Sequence, residues 1–349
     1  MGAAASITHI PQFDRNIMPK HGVKLSFFDK FIDECGGRGA LEGMTTTDVC
    51  NNFVKKWTEK HQCSFNDLLR EMKHDAYHAQ SDVFISHAWK YEFVKLVDIL
   101  KHHFVDRPNV VVWFDLFSNN QHQAAALDYN WWATTFRTAI KEFGYTVMVL
   151  MPWDDPIPLQ RAWCLFELYC THDTKCRFEV AMGEEGFNAF VDALDGSKSS
   201  SEEVVNKMLT KIDVKRSEAF KPEDKKMIHE TVERDVRGGL MKLNAVVLSL
   251  MRDWVLDVAE KELKKRRDNS HSETLNLIAN LADLYKHQGM YDKAEPLYVE
   301  CLAKTKAVLG DSHPSTLSSL NNLAGLYDSQ GKYDKAELLY VECLEKYKA

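Results

Sequence analysis

The chain has 349 residues, 45 % apolar, 27 % charged and 11 % aromatic, a profile with material for two or three packed domains. A formal net charge of −7 and a pI near 6.1 argue against nucleic acid as the main partner, because phosphate binding needs a concentrated basic face. No apolar run approaches the ~18–20 residues of a membrane span. The N-terminus lacks the apolar core of a secretory signal, so a cytoplasmic location is expected.

The start, Met1-Gly2-Ala3-Ala4-Ala5-Ser6, fits the N-myristoylation pattern, with Gly2 as the acceptor. An Ala-rich start without function is the equal reading. One acyl chain gives only reversible membrane binding, and Lys20, Lys24 and Lys30 are too dispersed to add a second anchor. Residues 24–75 then read as helical, with Leu25, Phe28, Phe31 and Ile32 at helical spacing, a break at Gly36-Gly37-Arg38-Gly39, and a cap at Thr45–Thr47 for a helix through Phe53 and Trp57.

The pattern changes at Ser81. Short apolar runs at Asp82–Ser86, Val110–Phe114, Thr146–Leu150 and Arg177–Met182 alternate with helical faces. Those faces are Phe93/Leu96/Val97/Leu100/Phe104, Trp132/Phe136/Ile140, a helix from about Pro158 to Thr171, and one around Phe187–Leu194. Strands of this kind are buried on both faces, which predicts a parallel sheet wrapped by helices. Ligands of such sheets bind beyond the carboxyl ends of the strands, near a switch in strand order. Ser86, His87 and Trp89 after the first run, Asp115 after the second, and Pro152 and Trp153 after the third are therefore the positions to inspect.

A Ser-rich link, Gly196 to Ser201, precedes a charged helical stretch over 202–267 with an apolar seam at Leu240, Leu243, Val247, Leu250 and Trp254. The basic run Lys264-Lys265-Arg266-Arg267 closes it and reads as a solvated helix end. The eight cysteines show no zinc-type spacing and read as reduced thiols. Neither a Gly-rich phosphate loop nor a metal constellation stands out, and no cofactor is expected.

The last segment repeats itself at an offset of 42 residues: Leu281-Ala282-Asp283-Leu284-Tyr285 recurs as Leu323-Ala324-Gly325-Leu326-Tyr327. Gly289, Tyr291, Lys293-Ala294-Glu295 and Cys301 recur as Gly331, Tyr333, Lys335-Ala336-Glu337 and Cys343. Each unit is a helix, a Gly turn and a second helix, which cannot bury its apolar faces alone and so stacks. The repeat resembles the tetratricopeptide repeat of the kinesin-light-chain type, and that resemblance implies a groove for a protein partner. A purely structural cap or a dimer contact is the competing reading.

The alternating region resembles the TIR family. Asp82-Val83-Phe84-Ile85-Ser86 is similar to its opening strand and Trp113-Phe114-Asp115 to its second strand. The segment Arg161-Ala162-Trp163-Cys164-Leu165-Phe166-Glu167-Leu168 resembles the Trp-Cys-Leu-x-Glu helix of plant TIR domains. The resemblance implies a flavodoxin-like α/β fold, NAD as substrate rather than cofactor, Glu167 as the catalytic carboxylate, and TIR–TIR self-association. His87-Ala88-Trp89 replaces the plant-type Phe-Arg-Gly, and a long polar loop, Ser118 to Asn130, follows Asp115.

The residues bear on this chemistry by themselves. Cleaving the bond to nicotinamide creates an oxocarbenium-like centre that needs a carboxylate nearby and an aromatic surface for the ring. Trp163 and Glu167 lie four apart on one helix and share a face, with apolar neighbours that would raise the carboxyl pKa. Gln160, Glu167 and Thr171 are also spaced as the solvent face of an amphipathic helix would be. The expected architecture is thus an N-terminal helical segment (1–78), a TIR-like α/β domain (79–196), a helical connector (197–268) and two tetratricopeptide repeats (269–349). Its expected function is NAD hydrolysis at the nicotinamide bond, with Glu167 catalytic and Trp163, Asp115, Ser86, His87 and Trp89 binding substrate. The rivals are a non-enzymatic TIR scaffold and, more distantly, base transfer on nucleosides.

Overall fold

The computed structural model describes residues 20–74, 76–123, 129–196, 201–219, 222–266 and 272–348. Gly2, the lipidation candidate, lies outside the described residues. The chain divides into two compact units, one running to Phe187 and including Thr210–Leu250, the other comprising Asn188–Leu209 and the residues from Met251 onward.

The first unit is built on six strands: β1 (His21–Lys24), β2 (His78–Gln80), β3 (Val83–Ser86), β4 (Val111–Trp113), β5 (Tyr145–Val149) and β6 (Arg177–Ala181), in the order β2-β1-β4-β3-β5-β6. The last four pair in parallel, in the registers Phe84↔Trp113, Ile85↔Val147 and Met148↔Val180. The expectation of a wholly parallel sheet is corrected: β1 pairs antiparallel with both β4 and β2, so the sheet is mixed. Both added strands come from the edges of the segment read as helical.

That segment does supply helices, α1 (Phe27–Glu34) and α2 (Phe65–Glu71). Between them a continuous helical stretch runs through Thr46–Val49, a π-helical Cys50–Val54 and Lys55–Thr58, capped by a reciprocal Thr45–Asp48 box. Gly36 and Gly37 adopt φ of 101° and 86°, which ends α1 where the glycine cluster stands. Phe31 of α1 is fully buried, its ring 4.9 Å from Phe117, 5.7 Å from Phe65 and Phe93, and 5.5 Å from Trp57. Val23, Phe28, Leu68, Val83, Ile85 and Val147 belong to one apolar core, so α1 and α2 pack into the sheet rather than beside it.

Strand alternation divides the sheet's side chains. Val83, Ile85, Val112 and Val147 face the core shared with α1 and with α3 (Phe93–His103). Phe84 and Trp113 stack at 4.9 Å on the other face and meet Phe136 of α5 (Tyr129–Phe143) edge-on, a short helix α4 (Asp115–Ser118) following β4 before it. Ser86 has the parity of Phe84 and so belongs to that second face, where α6 (Ala162–Asp173) also packs.

Gly22 tests the β1–β4 pairing. A Cβ there would lie 2.1 Å from the Val112 carbonyl oxygen and 2.6 Å from Ser81 Oγ. Because one of the clashing atoms is backbone, Gly22→Ala is expected to cost about 3 kcal/mol or more. Gly39, whose Cβ would meet nothing within 4 Å, provides the control. Urea midpoints of the two alanine variants measure the difference, and equal midpoints would contradict the pairing.

The second unit is helical. Its first part holds the end of α7 (Glu184–Leu194) and α8 (Ser201–Leu209), where Phe190 stacks on Trp254 at 5.0 Å. Of the next two helices in the chain, α9 (Pro222–Asp235) and the start of α10 (Gly239–Arg266) up to Leu250 belong to the sheet unit, and α10 carries the apolar seam. Arg266 corrects the reading of the basic run as only solvated: its guanidinium donates to the buried carboxylate of Asp195 at 3.1 Å. Four helices close the chain: α11 (Ser272–His287), α12 (Tyr291–Leu309), α13 (Pro314–Ser329) and α14 (Tyr333–Lys348). The repeat seen in the sequence is repeated in the bonding. Cys301 Sγ donates to the Leu275 carbonyl at 3.6 Å and Cys343 Sγ to the Leu317 carbonyl at 3.4 Å. Gly289 and Gly331 both turn at φ 72°. Among the described residues no helix is long and apolar enough to cross a membrane.

Candidate active site

The parallel part of the sheet runs second, first, third, fourth in chain order, so the order reverses at β3, between β4 and β5. In sheets of this kind ligands bind beyond the carboxyl ends of the strands at such a switch, here β3 and β5, with the end of β4 next to them. Ser86 ends β3 with its hydroxyl turned to α6, and it donates to Glu167 Oε2 at 2.5 Å. Both groups are buried, Ser86 at 1 % and Glu167 at 9 % exposure. Burial pushes the Glu167 carboxyl up to about 8; the Ser86 hydroxyl opposes this, and the nearby Asp115 charge adds to it.

The reading of Gln160, Glu167 and Thr171 as a solvent face fails for α6. Thr171 is fully buried and its hydroxyl meets Thr146 Oγ1 of β5 at 3.0 Å, one turn beyond the Ser86–Glu167 pair. Glu167 and Thr171 thus point at polar residues on the sheet.

His87, Trp89 and Asp115 gather beside that pair. The His87 ring stacks on Phe114 at 4.4 Å, with its Nε2 3.8 Å from Asp115 Oδ1, and the Trp89 indole N–H donates to Asp115 Oδ2. His87 Nε2 and Asp115 Oδ1 are both enclosed and have no hydrogen-bond partner among the described residues. Asp115 keeps 23 % of its side chain open although its Oδ1 is enclosed. Burial raises the Asp115 pKa and lowers that of His87; each opposes the other's shift by its charge.

Cys164 joins the two groups. It is buried, its Sγ lies 3.6 Å from the His87 carbonyl, and burial together with the Glu167 charge raises its pKa well above the thiol range. Nothing in the spacing of the Arg161–Leu168 segment marks Cys164 for this position. The Trp163 ring meets Phe136 of α5 at 5.6 Å and Phe166 of its own helix at 6.3 Å.

Glu167 also sets a pH dependence of folding. Its folded value, about 8, lies above the ordinary 4.5, so its contribution to stability is present in full below 4.5 and is lost as pH rises through 8. Glu167→Gln, uncharged and near-isosteric, should match the parent near pH 4.5 and melt progressively higher than it toward pH 9 or so. Melting temperatures of both proteins across that range check this; a constant difference would place the carboxyl in water.

Residues 272–349 match the tetratricopeptide repeat family. This segment is a tetratricopeptide repeat array. Among solved structures, the crystal structure of BtubC (BKLC) from P. vanneervenii is similar at 16 % identity, over 62 % of this chain and 71 % of that one, with a TM-score of 0.27. No curated protein matches the chain.

Proposed function

We propose that the sheet unit is a TIR-like domain that hydrolyses NAD at the nicotinamide N-glycosidic bond, while the repeats bind a protein partner. The order of the parallel strands, as in flavodoxin-like sheets, supports the fold reading. The observation that carries the chemistry is the Ser86–Glu167 pair, a buried carboxyl fixed by a hydroxyl where the strand order switches.

In this reaction the bond from the ribosyl carbon to the ring nitrogen breaks and its electron pair passes to the ring, which leaves as neutral nicotinamide. Water forms the new bond to carbon and gives up a proton. The positive ring of bound NAD would favour the ionised form of Glu167, whose charge then faces the developing oxocarbenium centre. Once ionised, Glu167 is also the group to take the proton from water. Asp115 and His87, with unused hydrogen-bonding capacity at 3.8 Å from each other, suit ribose hydroxyls, and Trp89 holds the Asp115 carboxyl in place. Trp163 would contribute an aromatic wall rather than a polar contact.

The test is nicotinamide release from NAD by concentrated protein, for wild type and Glu167→Ala. Release by wild type and its loss in the variant are expected. No release from assembled wild type would overturn the enzyme reading, and release by both would overturn the assignment of Glu167.

A scaffold without chemistry is the second reading, favoured by the 9 % exposure of Glu167, since a carboxyl so enclosed can serve folding alone. Self-association of the TIR-like units and a cytoplasmic, membrane-tethered location complete the proposal. The intact mass of the expressed protein against Gly2→Ala decides the lipid: an equal acyl content would remove it.

A further inference from the structure

A strap of the chain is fastened across elements that rim the candidate site. Residues 210–218 belong to the sheet unit although they follow α8. The Glu218 N–H donates to the Gln160 carbonyl at 2.7 Å, and the Glu218 carbonyl accepts from the Ala162 N–H at 2.9 Å, a bridge at the start of α6. Lys211 pairs at 2.9 Å with Asp155, in the segment that follows β5. The Glu218 side chain reaches two cations. Its Oε2 accepts from Lys90 Nζ at 3.1 Å and lies 3.8 Å from Arg161 Nη1. Arg161 is the residue in need of explanation. Only 16 % of its side chain is exposed, yet its guanidinium makes no hydrogen bond among the described residues, and Glu218 is its one ion pair there. So enclosed a guanidinium ordinarily has its donors bonded.

We infer that Lys90 and Arg161 are the anion-binding residues of this site, taking the diphosphate of the dinucleotide, and that Glu218 holds their place as a built-in competitor. The inference rests on the reading of the site as one for NAD. Lys90 follows Trp89, which holds Asp115. Arg161 stands six residues before Glu167, about 9 Å along the helix. A ribose whose reacting carbon faces Glu167 carries its diphosphate one sugar away, and Arg161 lies at that remove. A guanidinium binds two phosphate oxygens at once, which the Glu218 carboxylate at 3.8 Å does not match. Two cations against one carboxylate leave a net positive charge, and a diphosphate answers both. The Glu218 side chain is 63 % exposed, so it can turn to water while its backbone bridge to α6 stays in place.

Isothermal titration of the full chain with ADP-ribose, in buffer containing a chelator, tests it; adenosine, which has no phosphate, is the control. Glu218→Gln should tighten ADP-ribose about 5-fold and leave adenosine unchanged. Arg161→Gln should weaken ADP-ribose about 30-fold, and Lys90→Gln about 5-fold. In the Arg161→Gln background most of the gain from Glu218→Gln should vanish, which a general loosening of the strap would not produce. Circular dichroism checks that each variant is folded. No binding of ADP-ribose by wild type and Glu218→Gln alike, an affinity indifferent to Arg161→Gln, or equal gains for ADP-ribose and adenosine would each overturn the inference. None of these titrations needs turnover. A protein that releases no nicotinamide but binds ADP-ribose in the expected pattern would keep the subsite and lose the hydrolysis. Nicotinamide release with a KM indifferent to Arg161→Gln would do the reverse.

Discussion

Phe31→Ala is expected to destabilise the sheet unit by about 3–5 kcal/mol, the cost of removing a fully buried ring whose neighbours cannot close the gap. Phe31 lies within 6.2 Å of Phe27, Trp57, Phe65, Phe93 and Phe117, rings drawn from separate segments of the chain. Truncation would leave a cavity that several rigid aromatic groups border at once. Since Phe93 and Phe117 flank β3 and β4 in the chain, the loss should reach the parallel strands. Amide exchange of Val147 and Val149 in β5 should accelerate together with that of α1, and the urea midpoint should fall with its slope unchanged. Unchanged exchange in β5 would mean that the N-terminal helices form a separate unit.

Glu167→Ala is expected to lower nicotinamide release by about 10³-fold, the range in which a positioned carboxylate acts through charge and proton transfer. Glu167→Gln should lose nearly as much, because it keeps the shape but carries neither charge nor base. Ser86→Ala should act differently. The Ser86 hydroxyl bonds the carboxyl and lowers its pKa, so its removal should move the rising limb of the pH–rate profile upward while much of the plateau remains. Loss of rate at every pH would instead make Ser86 a substrate contact. Asp115→Asn, if Asp115 holds ribose, should raise KM more than it lowers kcat.

Much of the first unit is legible from sequence because its central strands are buried on both faces and stand out as apolar runs. The two antiparallel strands do not. His21-Gly22-Val23-Lys24 and His78-Ala79-Gln80 are short and largely polar, the second of them at the sheet's edge, and nothing local shows that they pair with each other or that the first pairs with β4. The candidate site is legible as positions after strands, which strand polarity explains. Its pairings are not, since Ser86 and Glu167 are 81 residues apart and only packing joins them. Helical spacing misled on α6 where it grouped Glu167 and Thr171 with a solvent face, although polar partners on the sheet bury both. The tetratricopeptide repeats were fully visible because self-similarity at one offset needs no knowledge of long-range contacts.

On the proposed reading, the carboxyl enclosed by Ser86 and α6 does chemistry on NAD. Nicotinamide released by the full chain at concentrations where it self-associates, compared between wild type and Glu167→Gln proteins of equal helicity, tests it most directly. Turnover by wild type and its near-complete loss in the variant is the result predicted. Equal release by the two proteins, or none by an assembled wild type, would contradict it.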